Sequence, residues 1–281
     1  MAEAEETAAN RGSIDRLIRR ISDAHGIDLA LYRQPYLERR LAARMRVLGL
    51  TSYRRYGDLL EGDPAEYARL IDTLTINVTE FFRDSTVWDS IRRTVVPDLV
   101  TRKRDSRNRS IRVWSAGCAT GEEPYSVAML LLDILGDDAA HFATSVLATD
   151  IDPNALAKAK AGVFDKAKYK GVTADYRLRF TRAHGNAHFE VADEVRDVIR
   201  FRKMSLFDDI PVRVIDLVLC RNVFIYFDRQ QQARVLENFN RAMTPGGYLV
   251  LGRSEKLSDA ASTWLEPVDG NGRIYRKRER T

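Results

Sequence analysis

The stretch Arg112–Ser126, RVWSAGCATGEEPYS, combines residue types whose order suits a ligand site. Ile111, Val113 and Trp114 read as the end of a buried strand, and the turn SAGCATG follows, with Gly117 and Gly121 where the backbone must bend sharply or approach something closely. Glu122, Glu123 and Pro124 then open the apolar run YSVAMLLLDIL, whose length argues helix; carboxylates and proline suit a helix's first turn. Strand, glycine turn and helix together open a nucleotide-type site in α/β proteins. This turn does not spell G-x-G-x-x-G, and two carboxylates at the helix start disfavour a phosphate.

A ligand that carries a nucleoside and a sulfonium or ammonium charge, without phosphate, tolerates those acids. S-adenosylmethionine has that chemistry. In an open α/β sheet such ligands lie beyond the carboxyl ends of the strands, near the switch in strand order. Four strand ends supply candidates: Ala116 to Glu122; Asp150 and Asp152; Ser205 and Leu206; Asn222 and Val223. Asp150 is placed to accept both ribose hydroxyls, and an apolar residue beside an amide could sandwich and hydrogen-bond an adenine. Structural readings stand beside these: Asp152 as a cap for the helix at Pro153, and Leu206 as core.

The elements that would position these residues follow from periodicity. From Ile111 onward, apolar strand runs alternate with helical ones: SVLATDID, PNALAKAKAGVF, VIRFRKMSL, VIDLVLCRNVFIYF, DRQQQARVLENFNRAM, YLVLG and RIYRKR. Runs this apolar, alternating this way, predict a mostly parallel sheet covered on both faces. TPGG reads as a turn and TRKRDSRNRS as an exposed loop. One segment, about residues 170–197, breaks the rhythm with a short helical stretch and a hairpin around Gly185-Asn186. His184 and His188 flank that turn without the further ligands a metal would need.

Residues 1–12 read as a disordered N-terminus and 13–85 as a helical domain without strands, with the sheet domain over 86–281. Ser13 would cap the first helix, carrying Ile14, Leu17, Ile18 and Ile21. Pro35 would start the second helix and Gly49 end it. Between Ala30 and Gly57 stand Arg33, Arg39, Arg40, Arg44, Arg46, Arg54 and Arg55 against the single acid Glu38. This is either a solvated helix face or a docking surface for an acidic partner.

At 281 residues the chain can bury a full core. Its net charge of +5 is too mild to imply nucleic acid. It has no apolar run of membrane-spanning length, no signal-peptide order and only two cysteines, Cys118 and Cys220, outside any C-x-x-C. These features predict a reduced, cytoplasmic protein without membrane insertion.

INVTEFFRD, VWSAGCATGEEPYS, ATDID, CRNVFIYF and GRSE, in this order and at about these spacings, resemble the CheR-type chemotaxis receptor glutamate O-methyltransferases. The likeness extends from about Ser13 over nearly the whole chain, including the R-x-x-x-R-x-R-x-L-G-L helix. It implies an N-terminal all-helical domain and a class I, Rossmann-like methyltransferase domain with a small inserted β-subdomain. It further implies S-adenosylmethionine as cofactor, S-adenosylhomocysteine as product and methyl-accepting receptor helices as substrate, for a monomeric enzyme. Asn77, Thr79 and Arg83 would lie over the methionine end of the cofactor, with Ala116 and Glu122 beneath it. Asp150 would hold the ribose, and Ser205, Leu206, Asn222 and Val223 would surround the adenine and sulfonium; the family often has Asn where Ser205 stands. Arg40, Arg44 and Arg46 would meet the receptor.

Residue chemistry agrees with that assignment. A glutamate with an ordinary pKa near ~4.3 is already a nucleophile at neutral pH, so no general base is required. Arg83 would orient the incoming carboxylate, and Tyr226 would place its hydroxyl near the transferring methyl. The structural alternatives are a salt bridge from Arg83 to Glu80 or Asp84, and Tyr226 as a core aromatic on a strand. Alternative functions are a carboxyl methyltransferase with another acidic substrate, a regulatory module that binds the cofactor without turnover, and a nucleic-acid methyltransferase. No N-P-P-Y motif follows the fourth strand, which weighs against the last. The RAHGNAHFE loop is short and poor in glycine, which predicts an enzyme independent of a receptor C-terminal tether.

Overall fold

The computed structural model describes residues 2–25, 29–74, 78–106, 108–208, 213–257, 259–269 and 273–279. The chain divides into two compact units, one of 1–76 with 226–231 and one of 77–225 with 232–281.

The smaller unit is helical: α1 (Ala2–His25), α2 (Gln34–Val47), α3 (Tyr53–Gly62) and α4 (Pro64–Leu74). Ile14, Leu17, Ile18 and Ile21 are buried along α1, and Leu37, Leu41 and Met45 along α2. α1 begins at Ala2, so the stretch expected to be disordered forms its first turns and Ser13 is no cap. The physical reason is composition: Ala and Glu rank among the strongest helix formers, and acids favour a helix N-terminus. At the other end of α2, Gly49 takes φ 67°, and the N–H groups of Gly49 and Leu50 return to the carbonyls of Arg46 and Met45. That closes the helix with a left-handed cap that glycine adopts without strain. Ser52 caps α3, accepting from Arg55 N–H.

The larger unit opens with α5 (Ser85–Ser90), a π turn (Ile91–Val95) and α6 (Val96–Asp105). Part of the expected charged loop, Thr101–Asp105, is therefore helix. The remaining helices are α7 (Glu122–Leu135), α8 (Pro153–Ala161), α9 (Ala174–Phe180), α10 (Asp193–Asp197) and α11 (Arg229–Ala242).

The strands are β1 (Ser110–Ala116), β2 (Ala143–Asp150), β3 (Val163–Asp165), β4 (Thr181–His184), β5 (His188–Val191), β6 (Ile199–Lys203), β7 (Ile215–Cys220), β8 (Met243–Leu251), β9 (Leu265–Asp269) and β10 (Ile274–Lys277). Seven of them form one sheet in the order β6-β2-β1-β7-β8-β10-β9. The pairs from β6 through β8 are parallel, and β10 runs antiparallel to both neighbours. The order reverses at β1, with β2 on one side and β7 on the other, which makes the carboxyl ends of β1 and β7 the switch point. TPGG lies inside β8, where the pairing with β7 jumps from Ile215↔Met243 to Leu217↔Tyr248.

The remaining strands make a small antiparallel sheet, β3-β5-β4. The hairpin at Gly185 is present, and the insert begins at β3 rather than near Lys170 because the three-residue strand VFD is too short to show a period. Phe164 and Phe189 are buried in this insert. Among the described residues, no helix is long and apolar enough to cross a membrane.

Candidate active site

The turn after β1 is fixed by its neighbour strand. Gly117 N–H and Cys118 N–H both donate to the Thr149 carbonyl, at 2.8 and 2.9 Å, and Trp114 Nε1 donates to Thr149 Oγ1 at 2.9 Å. Gly117 has φ 81°, and a Cβ there would stand 2.6 Å from Val223 Cγ2. Ala116, one residue earlier, is fully buried. Burial pushes the Cys118 thiol well above its usual range, so it stays protonated and a poor nucleophile.

Four carboxylates stand at this turn, each with its own partners. Asp150 accepts from Ala119 N–H at 2.7 Å and from Asp152 N–H at 3.0 Å. Burial raises its pKa, and those N–H groups oppose the rise. A carboxylate has about four lone-pair sites, so capacity remains for hydroxyls of a ligand. Asp152 is the helix cap, accepting from Asn154 N–H and Ala155 N–H. Glu123 accepts from Ser115 Oγ at 2.7 Å and faces Arg221 at 3.8 Å; burial raises its pKa and Arg221 opposes that. Glu122, fully buried, accepts from Thr120 Oγ1 at 2.7 Å and pairs with Lys168 Nζ at 3.0 Å.

The described part of the INVTEFFRD segment, residues 78–84, is a clamped loop. Asn77 lies outside the described residues. Thr79 gives its carbonyl to Lys168 Nζ at 2.7 Å, and Phe82 N–H donates to Ser126 Oγ at 2.9 Å. Phe81 packs between Phe164 and Phe189, and the Gly171 backbone lies so close to the Phe81 carbonyl that a Cβ would overlap it at 1.7 Å. Phe82 and Asp84 take φ 52° and 60°, a left-handed conformation that non-glycine residues keep only where neighbours enforce it. The Arg83 side chain donates to the Val78 carbonyl at 2.9 Å, and Asp84 pairs with Arg221.

Arg221 and Glu255 organise the turns around this site; both lie within the motifs CRNVFIYF and GRSE, but neither stands out in the sequence as a candidate. Arg221, its side chain 2 % exposed, donates to Asp84 Oδ2 at 2.8 Å and to the Arg83 carbonyl at 2.7 Å, and lies over Trp88. Glu255 accepts from the N–H groups of Gly252 (2.6 Å), Asn222 (3.1 Å) and Ile225 (3.3 Å). It thereby holds the turn in which Asn222 adopts φ 61°. A charge ending each apolar run (CRN, GRSE) was the signal that could have found both. Lys168 carried no signal at all.

CRNVFIYF is not one strand: β7 stops at Cys220, and Phe224–Tyr226 is a 3-10 turn. Asn222 and Val223 thus stand beyond the sheet, beside the turn after β1. Ser205 Oγ accepts from Phe207 N–H at 3.2 Å, and Leu206 is buried with its carbonyl bonded by Asn238 Nδ2. Ala116, Glu122, Asp150, Asn222 and Val223 are brought together at the ends of β1, β2 and β7, with Ser205 and Leu206 past the end of β6.

The family described as "CheR methyltransferase, SAM binding domain" matches residues 77–274, and "CheR methyltransferase, all-alpha domain" matches residues 13–75. The chain belongs to the CheR methyltransferase family. It is 36% identical to a chemotaxis protein methyltransferase of Klebsiella aerogenes, over 85% of each chain. It is 30% identical to one from Borreliella burgdorferi, over 88% of this chain and 89% of that one. A probable chemotaxis protein methyltransferase of Rhizobium etli is 34% identical, over 85% and 90%.

As a CheR-family protein it is an S-adenosylmethionine-dependent methyltransferase. The residues present fit that cofactor. The buried start of α7 carries Glu122 and Glu123 where a phosphate-binding turn would leave free N–H groups, and Gly117 leaves only a hydrogen's width beside Val223. Lys168 and Arg221 stand among more carboxylates than they can neutralise, Glu122, Glu123, Asp84 and Asp150 among them, and that surplus suits a cationic donor.

In the helical unit of this CheR-family enzyme, the proposed site residues separate. Tyr226 packs its ring 5.0 Å from that of Tyr36, and its carbonyl accepts from Arg33 N–H. Burial pushes the Tyr36 hydroxyl up to about 12. Arg44 is committed internally: Nε and Nη2 reach both oxygens of buried Glu66 at 2.6 and 2.5 Å, alongside Tyr56 and Arg69. Arg40 is half-buried with its guanidinium over the Tyr36 ring, whereas Arg46 is exposed. The arginine helix therefore mixes an internal ion pair with outward charge.

Proposed function

We propose that this enzyme esterifies glutamate side chains on the helices of methyl-accepting chemotaxis receptors. What carries the reading is the acid-lined turn at the switch point in a chain so similar to chemotaxis methyltransferases. When bound, S-adenosylmethionine supplies a methyl group on a sulfonium, which a carboxylate oxygen can accept without prior loss of a proton.

Within this reading Asp150 accepts the ribose hydroxyls, and Glu122, Ala116, Thr79 and Asn77 hold the methionine end. Ser205, Leu206, Asn222 and Val223 surround the adenine and sulfonium. Arg83 orients the incoming carboxylate through its guanidinium. Tyr226 contributes its hydroxyl beside the reacting oxygen. Because opposite charges become neutral products, strong stabilisation of either charge would oppose reaction, so alignment supplies most of the rate, on the order of several kcal/mol. Arg46 and Arg40 face the acidic receptor, and Arg44 supports the helix that carries them.

The test is incubation with methyl-labelled cofactor and a receptor signalling fragment, scoring base-labile ester. Label that appears on wild type and falls by orders of magnitude in Arg83→Ala supports the assignment. Label that is absent, or that resists base, refutes it.

A further inference from the structure

Lys168 sits on the insert, in the 3-10 turn Lys166–Gly171 that follows β3. Asp165 caps that turn through Ala167 N–H at 2.7 Å, and Lys166 N–H donates to the Ala187 carbonyl, so the turn is fastened to the small sheet. From there the Lys168 ammonium reaches two places: the Thr79 carbonyl at 2.7 Å and Glu122 Oε1 at 3.0 Å. One cation ties the strained 78–84 loop to the first residue of α7.

The carboxylates of the site depend on different parts of the chain. Asp150 is held by backbone N–H groups of Ala119 and Asp152, and Glu123 by Ser115 and Arg221. Those partners come from the ends of the large sheet. The cation that Glu122 pairs with comes from the insert. A buried carboxylate needs a cation or several N–H donors, and the single hydroxyl of Thr120 is a weak substitute. The Arg221 side chain is 2 % exposed and that of Lys168 37 %, so Lys168 is the counter-charge with room to move.

The loop depends on the second bond. Left-handed backbone at Phe82 and Asp84 persists only under restraint, and Arg83 stands between them. Arg83 returns its guanidinium to the Val78 carbonyl, directly before Thr79. Releasing the Thr79 carbonyl would therefore loosen the peptide against which Arg83 rests.

We propose that Lys168 is a positioning residue for methyl transfer: from the insert, its ammonium holds the Thr79 carbonyl and the Glu122 carboxylate in one register and so sets the grip on the methionine end of the donor. The inference rests on the donor site described under Proposed function. It requires no contact between Lys168 and the reacting atoms.

Calorimetry with S-adenosylhomocysteine on the full chain tests it, with melting followed by circular dichroism. Lys168→Met should weaken binding about tenfold, the loss expected for one charge-assisted bond, and should also lower the melting temperature because it strands the buried Glu122 carboxylate. Lys168→Arg should restore most of the affinity. Lys168→Gln, which can still donate to Thr79 but carries no charge, should fall between. In a Glu122→Gln background, Lys168→Met should cost much less than in wild type, because half of its action has been removed. If the Met variant unfolds, the Gln and Arg variants carry the comparison. Unchanged or tighter binding in Lys168→Met and Lys168→Gln, beside normal wild-type binding, overturns the role of Lys168 alone. Absence of binding to wild type overturns the donor site and this inference with it.

Discussion

Gly117 and Val223 meet across the carboxyl ends of β1 and β7, so closely that a Cβ on Gly117 would lie 2.6 Å from Val223 Cγ2. The contact joins the two turns that flank the switch in strand order. Gly117→Ala should therefore fail twice, by strain at φ 81° and by displacing Val223. The expected outcome is a stability loss of more than about 1 kcal/mol, read by chemical denaturation, with S-adenosylhomocysteine binding reduced at least about tenfold. Normal binding by a folded variant would separate Val223 from the donor site.

Asp150 offers a sharper test because its oxygens already hold two N–H groups. In Asp150→Asn one of those N–H groups, from Ala119 or Asp152, must face an amide NH₂. Stability should fall by about 1–3 kcal/mol, and ribose recognition should weaken in parallel. Calorimetry should show a larger loss for S-adenosylhomocysteine than for an analogue lacking the ribose hydroxyls. Equal losses for both ligands would remove Asp150 from ribose recognition.

Arg221 holds together groups that are far apart in the chain: Asp84, the Arg83 carbonyl and Glu123. Arg221→Met fills similar volume but leaves the partly buried carboxylates of Asp84 and Glu123 without their cation, at a cost of about 1–3 kcal/mol. Arg221→Lys restores the charge without the fork of donors, so it should recover only part of that stability. Tryptophan fluorescence is a suitable probe, since Trp88 lies beneath the guanidinium. A Met variant as stable as wild type would show the cluster to be dispensable.

Acid should act selectively on the helical unit. The Arg44 pair, with Arg69 and Tyr56, holds the Glu66 carboxyl down at about 2, so its folded pKa lies below its unfolded value near ~4.3. The stability it contributes, about 3 kcal/mol, is present above the unfolded value and is lost as pH falls toward the folded one. Far-ultraviolet circular dichroism during acid titration should show helix loss between about pH 4.5 and 2. Arg44→Ala should move that loss to higher pH; an unmoved acid transition would refute the pair's importance.

Arg46 gives the complementary expectation, because it is exposed on the same helix. Arg46→Ala should change stability by less than about 0.5 kcal/mol. Its KM for a receptor fragment should rise while S-adenosylhomocysteine affinity stays constant. An unaltered KM would reject the outward arginines as a docking surface.

Local order along the chain was enough to determine most of the kinds of element and the turn at the switch point. Strand, glycine turn and acidic helix start are consecutive in Arg112–Ser126, and the caps at Gly49, Ser52 and Asp152 act on residues a few positions away. Alternating apolar strands and helices likewise required a parallel sheet, whose strand ends bring Asp150, Asn222 and Val223 toward one edge. Only the tertiary structure decided which charges are already committed. Arg44 answers Glu66 across 22 positions, Lys168 answers Thr79 across 89 and Arg221 answers Asp84 across 137. Periodicity reports which face a residue occupies and not which distant charge meets it. Ion pairing depends on where the chain returns in space, so a row of arginines that looks uniform in sequence divides in the fold into internal supports and outward charge.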